Sequence, residues 1–476
     1  MRYSRLRPRT CAGAVFLRRV PLRLILALVL ATCCLPSAAS LDVVDWLSPG
    51  DPSDVLAAGL ALPGEFALYP DVTRPTSLLH YPSSLTARAQ ASYPWQVRGR
   101  DPRFLGGSSL SAVVNLRGSI RGITTAAAGS LGHSALRFTE NGNQYTRLGA
   151  GQDDSELGVA AGAAKTRLGL SLVRSRSHLN MDSTSLAGIE TVSGSGIGFI
   201  SSSPLQTTGA IEATRDLGSF RVGLLASWAD GSLDLRTTAK GQSYSAYGDT
   251  KTSRIAPYLI YRGKSTADML LFDRCGEDVD GPVLVGRILA GSWTGQWKSS
   301  SAAFAHLSRG AHSKQLYSLQ YSEMQVGLSG TAGGFLFPGL FSSVYHTDDS
   351  FSLGQLTARC GFERTRGKTA VRWSIMLARC KPSGSTYLTQ AKWLQPLRVL
   401  SDERLRDMTA WVLSPSIGMG YTKGNTHIDA GLSLYAAVLC KQEQKHKGAT
   451  APAAEAGSRN RTLPGYRWGI TVRREF

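Results

Sequence analysis

The residues that could do chemistry are few and scattered. The glycine-rich run 193–198 resembles a phosphate-binding loop only in its glycine content, because it lacks the strand before it and the helix after it. The sequence has no GxSxG, HExxH, Walker A or CxxC pattern, and its eight histidines show no ligand spacing. We interpret the run as a flexible loop and expect no enzymatic activity, no bound metal and no cofactor.

Polar residues at alternate positions of the second half are the stronger candidates for a functional role. Charged ones could present positive charge to a passing solute, with the alternative that they are solvated residues paired with acids such as Glu363. The candidate lumen-lining residues are Lys298, Gln355, Thr357, Arg359, Arg372, Ser414 and Ser416.

The formal net charge of +19 over 476 residues raises the question of a nucleic-acid partner. The first forty residues contain several arginines and no acid, and the other positive residues are dispersed. We find no basic helix, zinc knuckle or stacking motif and predict no nucleic-acid partner. Anionic surface lipid and a cationic pore lining both fit the charge.

The N-terminus has the layout of an export signal. An arginine-rich stretch precedes the apolar run 24–35, and the small residues 37–40 suit signal peptidase. A run of about twelve residues is too short to span a bilayer, which takes about 20. We predict a cleaved signal peptide over 1–40, with an uncleaved anchor or lipidation at Cys33 as alternatives. A disulfide among Cys275, Cys360, Cys380 and Cys440 stays open.

Two candidate hairpins indicate β-strands with one apolar face. Residues alternate apolar and polar from Trp411 to Tyr421, and folding about Gly424-Asn425 pairs Tyr421 with Ile428. Both apolar sets then share a face, which a slip of one residue would prevent. Upstream, folding about Thr365-Arg366 pairs Cys360 with Val371 and brings the apolar residues of two further segments together in the same way.

Aromatic residues stand at both ends of these apolar faces. Ten residues at about 3.3 Å each, tilted near 40°, give about 25 Å, the height of the lipid-facing band of a membrane barrel. The predicted aromatic girdle is Phe220, Trp228, Trp411 and Tyr421. The last strand resembles the signal that the barrel assembly machinery reads, and its residues are Tyr466, Trp468, Ile470, Val472 and Phe476.

We therefore predict an all-β fold, a transmembrane antiparallel β-barrel of about 14 strands within a range of about 12 to 18. Short candidate turns, near 298–301, 329–332 and 423–426 among others, alternate with longer connections such as 274–282, 345–350 and 441–463. Residues 108–476 are assigned to the barrel. Residues 41–107 lack clean alternation and are assigned to a plug or periplasmic segment.

The segment before the first candidate strands suggests a family. Tyr81-Pro82-Ser83-Ser84-Leu85 resembles the Asn-Pro-Ala-Gly-Leu type motif of FadL-like outer-membrane transporters at Pro82 and Leu85, and differs from it at Tyr81, Ser83 and Ser84. The plug motif candidates are therefore Tyr81, Pro82 and Ser83. The resemblance implies a plugged barrel that takes up fatty acids or other hydrophobic molecules.

The leading hypothesis is a channel or transporter in the outer membrane of a diderm bacterium, with surface-exposed loops. Its expected partners are membrane lipid, the barrel assembly machinery and a small-molecule substrate. The alternatives are a barrel that serves as a surface adhesin or antigen, and a soluble exported β-protein.

Overall fold

A computed structural model describes the chain from residue 71 to 476 with gaps. The described ranges are 71–94, 103–140, 146–183, 198–202, 205–239, 242–285, 288–337, 340–392, 398–405, 408–441 and 461–476. The predicted signal peptide, Cys33 and residues 193–197 of the glycine-rich run lie outside the described residues.

The described residues form eighteen strands and one 3₁₀ helix, Pro75–His80. The strands are β1 Ser84–Pro94, β2 Arg103–Ile120, β3 Ile123–Glu140, β4 Thr146–Ala163, β5 Thr166–Ser183, β6 Gly198–Ser202, β7 Leu205–Leu217, β8 Phe220–Ala239, β9 Gln242–Arg262, β10 Thr266–Val285, β11 Ile288–Arg309, β12 Ser313–Phe337, β13 Leu340–Arg366, β14 Thr369–Lys392, β15 Arg398–Leu405, β16 Met408–Lys423, β17 Thr426–Lys441 and β18 Arg461–Glu475.

These strands close into one antiparallel barrel. Apart from the couples β6/β7 and β15/β16, each strand pairs with the next in sequence, and β1 pairs with both β2 and β18, so the sheet has no free edge there. β6 and β7 both pair with β5 and β8, and β15 and β16 both pair with β14, so each couple fills one position. The barrel therefore has sixteen positions, within the predicted range and two above the central value.

The barrel begins earlier in the chain than predicted. β1 and the start of β2 lie inside the range 41–107 that the sequence assigned to a plug or periplasmic segment. Only residues 71–83 of the described part of that range precede the wall. The alternation in β1 was missed because its outward positions include three alanines, which give a weak apolar signal.

Tight turns join the strands at one end of the barrel, here called the turn end. Gly218, Gly367 and Gly424 adopt positive φ values of 65°, 58° and 57° in these turns, a conformation that glycine adopts without steric cost. Phe476 donates its backbone N–H to the Ser83 carbonyl at 3.1 Å, so the end of β18 and the start of β1 also meet there.

The two predicted hairpins differ in how well their registers hold. Tyr421 pairs with Ile428, as predicted. In the upstream hairpin the turn lies at Gly367-Lys368, so Cys360 pairs with Ile375 instead of Val371. A shift of the turn by two residues keeps the parity, and the apolar faces still coincide. The candidate turns near 298–301 and 329–332 lie within β11 and β12.

The outward face carries an apolar belt next to the turn end. Its side chains are large and exposed, for example Ile417 at 63% and Leu131 at 67%. The predicted girdle residues lie on this face, each at least 40% exposed. The exposed side chains of Trp468, Ile470 and Val472 of the last strand, and of Phe476 just after it, lie on the same face. Tyr466 shares their parity and is half-buried. An apolar exterior of this size on a closed barrel fits a lipid environment. Among the described residues, no helix is long and apolar enough to cross a membrane.

Several strands extend well past the belt. β9 to β14 are 20 to 27 residues long, and away from the turn end their outward side chains become polar, as at Ser350, Ser352 and Lys381. The predicted long connections near 274–282 and 345–350 are therefore parts of strands.

The belt predicts a depth-dependent cost for a charged substitution. Ile417→Lys places an ammonium group among lipid tails. It should lower the free energy of unfolding from phospholipid vesicles, and so the stability, by about 2–4 kcal/mol. Urea titration with a heat-modifiability gel readout measures it. Thr294→Lys, outward on β11 beyond the belt, is the control and should change little. Equal stability of both variants would favour a soluble barrel.

Candidate functional site in the barrel interior

Six of the seven predicted lumen residues lie on the inward face. Thr357, Arg372, Ser414 and Ser416 are buried there, and Gln355 and Arg359 are half-buried. Lys298 is the exception, because it lies on the exposed outward face of β11. Adjacent residues of a strand face opposite sides, so Lys298 could face the lumen only if Trp297 faced outward. Trp297 points inward and is only 4% exposed.

Arg372 is the centre of an inward ion-pair network near the turn end. Its Nε donates to Glu363 Oε2 at 2.5 Å, and its Nη1 bonds Asp429. Lys314 Nζ lies 2.9 Å from the other Glu363 oxygen. Glu363 was the predicted partner, and Gly420 leaves the space that Asp429 and Arg372 fill. Nearby, Ser416 donates to Ser433 at 2.8 Å, so this arc of the wall is small and polar.

The inner wall also carries two apolar clusters, one of which shares strands β12 to β14 with the Arg372 network. The lower apolar cluster lies near the turn end on β7 to β12 and comprises Ala210, Leu225, Ala256, Tyr258, Ile260, Ala267, Met269, Leu271, Ala303, Ala305, Leu307 and Leu316. The upper apolar cluster lies farther along β10 to β14 and comprises Cys275, Trp297, Met324, Val326, Phe351, Leu353 and Cys380. Arg254 and Asp273, paired at 2.6 Å, lie between the two clusters.

Residues 71–83 lie inside the barrel against the inner wall and are here called the lumen segment. Pro75 occupies the first turn of the 3₁₀ helix, where its missing N–H costs nothing. The helix ends at Tyr81, whose backbone is extended. Val72, Leu78 and Leu79 are buried against inward alanines of β3 and β4. Burial of apolar side chains therefore holds the segment to the wall.

Three glycines of the wall form the groove that receives the lumen segment. A Cβ at Gly158 would lie 3.0 Å from Val72 Cγ1, and one at Gly169 would lie 2.8 Å from Pro75 Cβ. At Gly162 the added atom would lie 3.1 Å from Leu79 Cδ1. Their shared inward parity on neighbouring strands is a signal that the sequence contains, but it is readable only once the strand register is known.

The Glu212 carboxylate fastens the lumen segment to the wall. It accepts hydrogen bonds from Thr76 N at 3.0 Å and Thr76 Oγ1 at 2.7 Å, and from Tyr258 Oη at 2.9 Å. Arg74, only 2% exposed, lies 4.0 Å from the same carboxylate, and its Cζ lies 5.8 Å from the Tyr258 ring centroid. Glu212 is therefore the main balance for the buried Arg74 charge.

A second charged group lies beside the segment at the turn end. Asp216 pairs with Arg167 at 3.0 Å, with Arg221 at 2.7 Å and with Arg262 at 3.4 Å. Arg221 Nη1 also lies 3.2 Å from His80 Nε2, at the end of the 3₁₀ helix. Three guanidinium groups thus converge on the one Asp216 carboxylate.

The plug motif candidates form the junction between the lumen segment and β1. Asn115 Nδ2 donates to the Pro82 carbonyl at 3.0 Å, and the Arg117 N–H donates to Ser83 Oγ at 2.9 Å. Tyr81 is buried and Pro82 is exposed. The hydrogen bonds from Asn115 and Arg117 of β2 hold this junction at the point where the chain passes from the lumen into the wall.

The described part of the interior offers no cluster of three His, Cys, Asp or Glu side chains that could hold a metal ion. Cys275, Cys360 and Cys380 are free thiols. The side chain of Cys440 lies outside the described residues.

A closed barrel with an apolar exterior and an internal N-terminal segment is an integral membrane β-barrel. No protein-family model and no curated protein matches the chain. Among solved structures it is similar to the toluene transporter TodX of Pseudomonas putida, at 9% identity over 84% of this chain and 92% of that one, with a TM-score of 0.39. The toluene transporter TbuX of Ralstonia pickettii gives 13% identity over 90% and 99%, with a TM-score of 0.40.

A third similar structure is the ferric yersiniabactin uptake receptor FyuA of Yersinia pestis, at 8% identity over 83% of this chain and 80% of that one, with a TM-score of 0.34. These likenesses concern the barrel fold. The N-terminal segment of this chain lies inside the antiparallel barrel and leads directly into the first strand, the arrangement that the sequence resemblance to FadL-like transporters implied.

Because Glu212 contacts both Thr76 and Arg74, we expect that one substitution at Glu212 releases the lumen segment. Glu212→Ala leaves the Arg74 charge buried without its counter-charge, which costs about 3–5 kcal/mol. Hydrogen exchange of the amides of residues 74–80 should accelerate strongly in this variant. Glu323→Ala, which removes an outward-facing carboxylate from β12, should leave that exchange unchanged. Retained protection in Glu212→Ala would show that apolar packing alone holds the segment.

Proposed function

We propose that this protein is an outer-membrane channel or transporter for small molecules, with a preference for hydrophobic ones. The observation that carries the proposal is the apolar part of the inner wall, formed by the lower and upper apolar clusters. The inside of a water-filled barrel is ordinarily polar. Apolar clusters that lie next to polar wall residues, such as those around Arg372, suit a solute that is largely apolar and has one polar end.

The strand number supports a lumen. Eight-stranded barrels are nearly filled by their own side chains, whereas barrels of about sixteen strands enclose a channel. The lumen segment narrows that space at the turn end and is fastened by one carboxylate. The proposal is therefore a gated route, in which the lumen segment moves for passage.

The apolar exterior and the tight turns support a location for the protein and an orientation for the barrel. Closed barrels with an apolar belt are the strand-built solution for a membrane, and in outer-membrane barrels the tight turns face the periplasm. We assign the turn end to the periplasm, with lipid around the belt and the assembly machinery as the partner that reads β18. Residues 1–40 are proposed to direct export.

The long strands allow one alternative function. A surface adhesin or antigen would use the polar extensions of β9 to β14, whatever the lumen does. Long-chain fatty acids are one candidate substrate class, because they combine a long apolar body with one charged end. The exposed apolar belt disfavours a soluble exported protein.

Planar-bilayer recording tests the gated route. Wild-type protein should conduct little, and Glu212→Ala should conduct more because its lumen segment is released. Glu323→Ala serves as the matched control and should behave as wild type. Saturable binding of a long-chain fatty acid to the purified barrel would support a hydrophobic substrate. Absence of both conductance and binding in every variant would replace transport with the adhesin hypothesis.

Epitope tags on intact cells test the orientation. A tag between Gly424 and Asn425 lies at the turn end and should be reachable only after the outer membrane is opened. Lys441 ends β17 and Arg461 begins β18, both away from the turn end. A tag inserted between them should therefore be reachable on intact cells. The reverse pattern would invert the barrel.

A further inference from the structure

A buried carboxylate on the inner wall has no role in the contacts described so far. Glu277 lies on the inward face of β10 and is 2% exposed. Its Oε2 has no hydrogen-bond partner within the part of the chain that the structure describes. A carboxylate in such a place must be neutralised, either by a proton or by a bound cation.

A second orphaned polar group lies directly beside it. Trp297 is the cross-strand partner of Glu277 on β11, so the two side chains project from the same face. Trp297 is 4% exposed, and its indole Nε1 also has no hydrogen-bond partner among the described residues. Two adjacent buried polar groups without partners are unusual in a folded protein.

The surroundings of this pair are apolar and adaptable. Trp297 belongs to the upper apolar cluster with Cys275, Met324 and Phe351. Met324 contributes a flexible, polarisable thioether that can move aside for a guest. Arg254, an inward arginine of neighbouring β9, is held by Asp273 through contacts of 2.6 Å and 2.9 Å.

The side chains at this place limit the class of ligand that could bind there. A hard metal ion needs several oxygen ligands, and no cluster of three ligand side chains occurs among the described residues. One buried carboxylate suits an organic ammonium group, which it binds by charge, and the ring of the adjacent Trp297 adds a cation–π partner. The indole N–H is itself a donor and does not pair with the ammonium. The apolar cluster suits a hydrocarbon body attached to that group.

We propose that Glu277 and Trp297 form a binding site for hydrophobic organic cations, such as arylalkyl amines, on the inner wall. This deepens the proposed function, on which it rests only for placing the site along a transport route. The site itself needs no conductance, so binding to the detergent-solubilised barrel tests it separately.

Isothermal titration of the purified full-length barrel with 2-phenylethylammonium, 2-phenylethanol and phenylacetate is the experiment. The ammonium should bind about tenfold more tightly than the alcohol, as expected for one charge-assisted hydrogen bond, and phenylacetate should not bind. In Glu277→Gln the difference between ammonium and alcohol should disappear. Trp297→Phe should weaken ammonium binding a few-fold, since phenylalanine is the weaker cation–π partner.

Asp278→Asn is the matched control, because Asp278 follows Glu277 on the same strand and is exposed on the opposite face. It should keep the wild-type preference, and heat-modifiability should show every variant folded. Equal affinity of ammonium and alcohol for the wild type would overturn the proposal and indicate that Glu277 is neutralised by a proton. A preference that survives in Glu277→Gln would overturn it as well.

Discussion

The pairing of β1 with β18 is the interaction on which the rest of the structure depends. In lipid, backbone N–H and C=O groups without partners cost several kcal/mol each, so a sheet spanning a membrane must have no edge. The register from Ser84 with Glu475 to Pro94 with Gly465 provides that closure. Once the barrel is closed, alternate residues of each strand face the lipid and the lumen in turn. The placement of the inner-wall residues follows from this alternation.

Closure also brings residues from distant parts of the chain together inside the lumen. The lumen segment reaches β7 through Glu212 and β8 through Arg221, although 136 residues separate Thr76 from Glu212. The glycine groove and the carboxylate act together, because the glycines allow close approach and Glu212 compensates the buried charge of Arg74. Packing and electrostatics therefore locate the segment jointly.

The fold could be predicted from sequence where both strands of a hairpin alternate cleanly. The hairpin at Gly424 was predicted with its register because its turn is marked by Gly-Asn and its apolar residues are large. The hairpin at Gly367 kept its faces but not its register, since parity survives a two-residue shift. The prediction for Lys298 was wrong because its neighbour Trp297 packs inside with Met324 and Phe351, which turns Lys298 outward.

The sequence by itself determined the class of fold, the outward apolar belt and most of the inward polar positions. These depend on a period of two residues, which is a local property of the chain. Tertiary structure alone decided the number of strand positions, the start of the wall at Ser84 and the contacts of Glu212, Asp216 and Glu277. Those contacts join strands that are far apart in sequence, and which side chains meet depends on the register and shear of the closed barrel. No local pattern encodes these two quantities.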